Sequence, residues 1–436
     1  MSQNRFYRWI CLVVKPMACC SRVDESCIPA RWALLRSPCF ARSHIEAFIP
    51  WPEVPSASSK VLLLLAFSSN NSIPTPEPTH GQIYPGCGPP IDLPTSFRPY
   101  LIMQSYAIPS LVSSLLNVSP SGWSSMFPPP PKWSPEEMPD LGGKVMVVTG
   151  GNDGIGKETV KALLAHNAKV YMASRNQVKA QVAIDELKRE TGREAVFLRL
   201  DLASLQSVKT AAQEFLSKET ELHVLFNNAG SIYPPVEDVT EEGYDLQFGT
   251  NVLGHYYFTK LLLPVLLKTA RLSADGKARV VHVASVGHEF VNGIDLETLK
   301  DGPKRKRWHT TKLYFQSKFG NVVVADEFHR RYADQGLVSF SLHPGNLKFD
   351  TKRHPSWTIK LLGILNPVIP GPKMGALTQL WAGTMPEGVH LGGKYCIPYA
   401  RVGQAKNETD DPELGKRLWE WLEEQVRDVE PPYTET

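Results

Sequence analysis

The sequence predicts an α/β protein built on a doubly wound parallel sheet, formed by residues 141–430 of a 436-residue chain. Three observations predict it. Beyond residue 140 short apolar runs alternate with amphipathic stretches, the pattern of helices layered on a sheet. The runs are apolar at consecutive positions rather than at every second one, as expected of strands buried on both faces. No repeat of solenoid period breaks the alternation. The strands are expected at 145–148, 170–173, 196–200, 224–226, 280–283 and 338–342, with helices between them such as 157–166, 177–190 and 207–217. A last helix carries Leu414, Leu418, Leu422 and Val426 at four-residue spacing, which predicts a packing face.

The first 139 residues have another character. They hold 22 of the 36 prolines, including the run 128–131, and proline at that density blocks helices and central strands. Residues 1–102 therefore read as a proline-rich, disordered extension to the single catalytic domain. It is either a targeting or interaction arm or an over-long reading of the gene whose start is Met103. Residues 103–140 read as a connecting segment, in which 108–118 is apolar enough to pack against the body.

Composition excludes several classes. A net charge of +3 and 21% charged residues present no basic face, so a nucleic-acid partner is not expected. The cluster Lys304, Arg305, Lys306, Arg307 reads as a solvated loop. Cys11, Cys19, Cys20, Cys27, Cys39 and Cys87 show no metal-ligand spacing, and Cys396 stands alone in the catalytic part, as in a reduced intracellular protein. No apolar run reaches the roughly 18 residues of a membrane span. Residues 61–67 are too few, and 9–14 are cut off as a signal core by Lys15 and Pro16. A cytoplasmic protein, with room for peripheral membrane contact, is the expectation.

The first strand runs into Thr149-Gly150-Gly151-Asn152-Asp153-Gly154-Ile155-Gly156 and then a helix. Glycines at 150, 154 and 156 allow a tight turn and the close approach of a pyrophosphate to the helix N-terminus, where free N–H groups and the dipole favour anions. Placed after a strand and before a helix, the motif makes the sheet a Rossmann-type one.

The motif T-G-x-x-x-G-I-G resembles the cofactor fingerprint of the short-chain dehydrogenase/reductase family, and further family marks follow in order. They are Asp201 after the third strand, Asn227-Asn228-Ala229-Gly230 ending the fourth, Asn251 in GTNVLGH on the long helix, Ser285 with Tyr314 and Lys318, and Pro344-Gly345 after the sixth. The resemblance spans residues 141–430. GIGKETVKALL, the long gap from Ser285 to Tyr314 and HPGNLK are similar to retinol-dehydrogenase-like and WW-domain-oxidoreductase-like members; YDLQFGTNVLGH and GKYCIPYARVG look fungal.

The resemblance implies an oxidoreductase that interconverts an alcohol and a carbonyl. Asn251, Ser285, Tyr314 and Lys318 are its catalytic candidates. Gly150, Asn152, Asp153, Gly154, Ile155, Gly156, Arg175, Asp201, Asn228, Ala229, Gly230, Pro344 and Gly345 join Tyr314 and Lys318 as cofactor contacts; no metal is implied. A phenol ionises only at roughly pH 10, so tyrosine needs help as an acid-base group. Lys318, one helical turn on, would pull Tyr314 down together with the cofactor's positive ring, and would hold the nicotinamide ribose. Ser285 would hydrogen-bond the substrate oxygen, and Asn251 would anchor a water leading from Lys318 to solvent.

Ser174 stands where NAD-using members carry an acid, and Arg175 follows it, which suits a 2′-phosphate and favours NADP(H) over NAD(H). Asp153 argues the other way, at a position basic in some NADP-preferring members. Phe349 replaces a threonine that binds the carboxamide, Thr351 being the available substitute, and Ala284 replaces a serine. The apolar segment 355–372 matches the family's substrate loop and suggests a small lipophilic alcohol or ketone; the same stretch would suit a membrane surface. The rival reading is a catalytically weak dinucleotide-binding regulator or scaffold. An epimerase or dehydratase of the same superfamily is less favoured, because such members usually carry a larger C-terminal substrate domain. Self-association stays open.

Overall fold

The computed structural model describes residues 118–346 and 371–429. Its sheet has eight strands: β1 Val145–Thr149, β2 Lys169–Ser174, β3 Val196–Arg199, β4 Val224–Asn227, β5 Ala278–Val283, β6 Leu337–Leu342, β7 Tyr395–Ile397 and β8 Arg401–Gly403. They lie in the order β3-β2-β1-β4-β5-β6-β7-β8, every neighbouring pair parallel except β7 with β8. The six strands expected from the apolar runs are all present. The last hairpin was not foreseen, because three residues per strand are too few for a period to show.

The chain reverses its winding direction between β1 and β4, and the crevice at that switch point is where such sheets bind ligands. Helices cover both faces. In chain order they are α1 Pro120–Met126, α2 Gly154–Ala165, α3 Gln177–Thr191, α4 Leu205–Lys218, α5 His255–Leu272, α6 Pro303–Lys306, α7 Thr310–Tyr332, α8 Pro372–Thr384 and α9 Pro412–Val426. Along β1, Val145 and Val147 join the core under α4, α5, α7 and α9, while Met146 and Val148 join that under α2, α3 and α8. Both faces of the central strands are thus apolar for a packing reason. β3 departs from that expectation: Arg199 is exposed and Val196 is half-buried, because β3 is the edge of the sheet. The packing face of α9 is as expected, with Leu414, Leu418, Leu422 and Val426 all buried.

One expectation is corrected. The cluster 304–307 is not a solvated loop. Lys304 to Lys306 lie in α6, and Arg305 is completely buried, its guanidinium bonded to Asp301 (2.7 Å) and Asp245 (3.3 Å). Asp245 in turn caps the helical turn Leu246–Phe248 through the Phe248 N–H (2.9 Å). Sequence charge alone shows four cations; only the fold shows that one of them faces inward onto carboxylates. The connecting segment before residue 140 gains definition. From Val118 it is part of the body: α1 is capped by Ser119, and Trp133, Met138 and Leu141 are buried against the sheet. The extension 1–102, the stretch 103–117, Phe349, Thr351 and nearly all of 355–372 lie outside the described residues. Among the described residues no helix is long and apolar enough to cross a membrane.

Candidate active site

The glycine loop is shaped by contacts that only glycine permits. Gly150 has φ +66°, and an added Cβ would lie 3.1 Å from Ala229 Cα. A Cβ on Gly156 would run into the Gly150 carbonyl oxygen, so α2 can start this close to β1 only with glycine there. Gly154, at φ +56°, faces open space at the helix N-terminus, which leaves room for an anionic group on the free N–H donors. Asp153 caps α2, its carboxylate accepting from Gly154 N–H (2.8 Å). Its charge therefore serves the helix end, a role the comparison with basic counterparts does not convey. Asn152 stands half-exposed beside it, and Ile155 packs on the core.

Thr149 joins the glycine loop to β4. Its Oγ1 accepts the Asn228 and Ala229 N–H groups (both 2.9 Å), and its carbonyl accepts from Asn228 Nδ2 (2.8 Å). The same hydroxyl meets His255 Nε2 at 2.8 Å, while His255 Nδ1 lies 3.0 Å from the Asn251 carbonyl. One neutral tautomer satisfies both contacts: Nδ1–H donates to Asn251 and Nε2 accepts from Thr149. Burial agrees, pushing His255 down to about 3. Ser174 ends β2 with a buried hydroxyl that has no hydrogen-bond partner among the described residues, and Arg175 follows on the surface. Asp201 shapes its own turn, accepting from Ala203 N–H (3.0 Å) and donating its N–H to Ser207 Oγ (3.0 Å). Pro344 and Gly345 are buried after β6, Gly345 at φ +100° and close to Pro398 and Tyr399.

Asn251 lies not in the regular helix but in a π-helical turn, Gly249–Gly254, that leads into α5. Such turns place one extra residue per turn and recur at functional sites. Its amide is held by Ser231 on both sides (N–H to Oδ1 2.7 Å, Nδ2 to carbonyl 3.1 Å) and by Ser317 Oγ (2.9 Å). Its carbonyl accepts from Asn321 Nδ2 (2.6 Å) as well as from His255. Gly230 backs this point, where a Cβ would stand 3.3 Å from Asn251 Oδ1 and 3.6 Å from Lys318 Nζ.

Ser285 follows β5 and caps the turn Val286–Phe290, its Oγ accepting from Gly287 N–H (3.1 Å). Tyr314 and Lys318 share a buried face of α7, with the ammonium 5.8 Å from the phenol ring centre and donating to the Val283 carbonyl (2.8 Å). Packing sets the starting point for both groups. Burial pushes Tyr314 up to about 12, against a hydrogen bond from Ser285 that favours the phenolate. Burial also brings Lys318 down to about 7. Tyr233, at φ +50°, sets its ring edge-on to Tyr314 at 4.9 Å.

The structure thus brings Asn251, Ser285, Tyr314, Lys318, the glycine loop and residues 228–230 to one end of the sheet. Thr149, His255, Asn321 and Tyr233 were missed as site residues. The i, i+4 spacing from Asn251 to His255 was a usable signal; Asn321 had none, since only folding places it at residue 251.

Comparisons with known proteins show the family. The short chain dehydrogenase family model matches residues 144–293. A short-chain dehydrogenase/reductase of Armillaria gallica is 55% identical over 306 residues, covering 70% of this chain and 97% of that protein. An uncharacterized oxidoreductase of Schizosaccharomyces pombe is 39% identical over 289 residues, covering 64% of this chain and 84% of its own length. Among solved structures, an uncharacterized protein of Mycobacterium paratuberculosis superposes with a TM-score of 0.52 at 27% identity, over 68% of this chain and 97% of that one.

Proposed function

Because the chain belongs to the short-chain dehydrogenase/reductase family, in its fungal form, and is an oxidoreductase acting on CH–OH groups with NAD(P), we propose that it is an NADPH-dependent reductase of small lipophilic ketones or aldehydes. The observation that carries the reading is the convergence of Ser285, Tyr314 and Lys318 beside the glycine loop at the switch point of the sheet. The residues present fit the dinucleotide. Gly154 leaves open space at the α2 N-terminus, and the orphaned Ser174 hydroxyl with the adjacent Arg175 offers polar and cationic contacts at the end of β2. Asp201 and Pro344-Gly345 would border the bound cofactor, Asn228 to Gly230 its nicotinamide side.

When bound, the nicotinamide supplies or takes the hydride. The chain's own groups handle the proton. In the reductive direction Tyr314 gives its proton to the carbonyl oxygen, which a phenol carries at neutral pH. Ser285 hydrogen-bonds the same oxygen as charge develops. Lys318, whose ammonium burial disfavours, would pass a proton on to renew the phenol, with Asn251 beside it to anchor a water. The lipophilic substrate class rests on Tyr233 against Tyr314 and the Phe290–Phe315 pair at 5.0 Å; Phe290 also lines a cavity of about 430 Å³ with Ile294 and Trp308 on its apolar side and Asn292, Asp295 and Lys312 on its polar one.

Residues 1–102 are proposed to be an extension that catalysis does not need. A homo-oligomer and a shallow membrane contact belong to the same proposal and are read by sedimentation and vesicle flotation. The central test follows NADPH and NADH absorbance with a panel of lipophilic ketones and aldehydes. Faster turnover with NADPH is expected. A preference for NADH overturns the cofactor assignment. Tight dinucleotide binding with no turnover across the panel would favour the weakly catalytic regulator.

A further inference from the structure

The turn that follows Ser285 is gripped by two segments distant in sequence, one before β1 and one after β8. Glu289, four residues after Ser285, is buried, and its carboxylate accepts from Ser119 twice: Oγ at 2.6 Å and N–H at 3.3 Å. His288, completely buried, has Nδ1 2.7 Å from the Ser285 carbonyl, and its Nε2 accepts the Lys406 N–H at 3.1 Å. One tautomer again serves both contacts, with Nδ1–H donating to Ser285. The Lys406 ammonium then spans the far side of the turn, donating to the carbonyls of Glu289 (3.1 Å) and Val291 (3.0 Å). None of these groups belongs to the cofactor loop, and none touches Tyr314 or Lys318 in the contacts described above.

We propose that Ser119, His288, Glu289 and Lys406 are positioning residues that fix the Ser285 hydroxyl against Tyr314, so that the segment ahead of the first strand is a working part of the catalytic site. The proposal rests on the catalytic role given to Ser285. Its physical basis is that a buried carboxylate needs its donors: without Ser119, the groups near Glu289 among the described residues include the His288 imidazole at 3.8 Å, whose facing nitrogen already accepts from Lys406, and the Tyr395 phenol, and the turn must move to find donors. A shift of the turn moves the Ser285 carbonyl and hydroxyl with it, and misplacement by about 1 Å costs about a hundredfold in rate.

Ser119 also caps α1, accepting the Gly122 N–H at 2.9 Å, and the two roles separate by substitution. In the full chain Ser119→Asp keeps an oxygen for the cap but sets a second carboxylate against Glu289. It is expected to lower kcat at least about tenfold, with NADPH affinity by fluorescence titration unchanged. Adding Glu289→Gln to it should restore most of the rate. Lys406→Met, which keeps the alkyl stem and removes the ammonium, should likewise lower kcat without changing NADPH affinity, and it decides the matter if Ser119→Asp does not fold. Full turnover in both single variants, or NADPH affinity falling in step with kcat, overturns the clamp. Ser285→Ala run alongside separates the failures. If it keeps the wild-type rate, the role of Ser285 is wrong. If it is inactive while Ser119→Asp and Lys406→Met are fully active, the clamp alone is wrong.

Discussion

The cofactor loop and the Ser285 turn sit at the same end of one sheet, yet they are held in different ways. The loop at 149–156 is made chiefly by backbone: glycines whose missing side chains let the chain approach itself and Ala229, a threonine that ties it to residues 228 and 229, and a helix start that faces its donors outward. The turn at 285–292 is made by contacts between distant parts of the chain, with Ser119 lying 170 residues from Glu289 and Lys406 lying 118 residues from His288. Local geometry makes a general site, since any dinucleotide presents a pyrophosphate. Long-range polar contacts make a particular one, since they place a single hydroxyl against a single phenol.

That contrast can be broken by experiment. Tyr314→Phe removes the proton donor and leaves the ring, and a loss of about 10³-fold in kcat is expected from removing a general acid, with NADPH affinity nearly intact. Retention of a substantial rate would move acid-base work elsewhere. Gly156→Ala attacks the other region through the backbone. The collision with the Gly150 carbonyl is expected to cost about 3 kcal/mol, as overpacking of a tight contact does, and to weaken both NADPH and NADH. A melting temperature equal to wild type would show that the loop is softer than its geometry suggests.

Arg175→Ala sharpens the cofactor half further. Losing a charge-assisted contact to the 2′-phosphate should weaken NADPH about tenfold, while NADH changes little. Equal loss for both cofactors would assign Arg175 a structural role.

The smallest effect concerns neither region and serves as a background measure. Burial and the Asp410 carboxylate push Asp326 up to about 8, from an ordinary 3.8. A folded-state pKa raised above the unfolded one gives stability that is present at low pH and lost as pH rises from about 4 to about 8, because the folded state holds the extra proton. Asp326→Asn should therefore gain on the order of 1 kcal/mol at pH 8, a few degrees in melting temperature, and should flatten the fall in stability across that window. A melting curve series from pH 4 to 8 with the slope unchanged would rule this out.

The parallel sheet, its first six strands, the glycine loop and the order of Asn251, Ser285, Tyr314 and Lys318 could be read along the chain. Each rests on local signals: apolar periodicity, glycine where a side chain cannot fit, and a tyrosine and lysine one helical turn apart. Folding alone turned Arg305 inward onto Asp245 and Asp301, set Asn251 in a π-helical turn under His255 and Asn321, and tied α1 to Arg401 across 277 residues. It also decided the sense of the Tyr314 and Lys318 shifts, because desolvation depends on everything packed around a group and not on its neighbours in sequence.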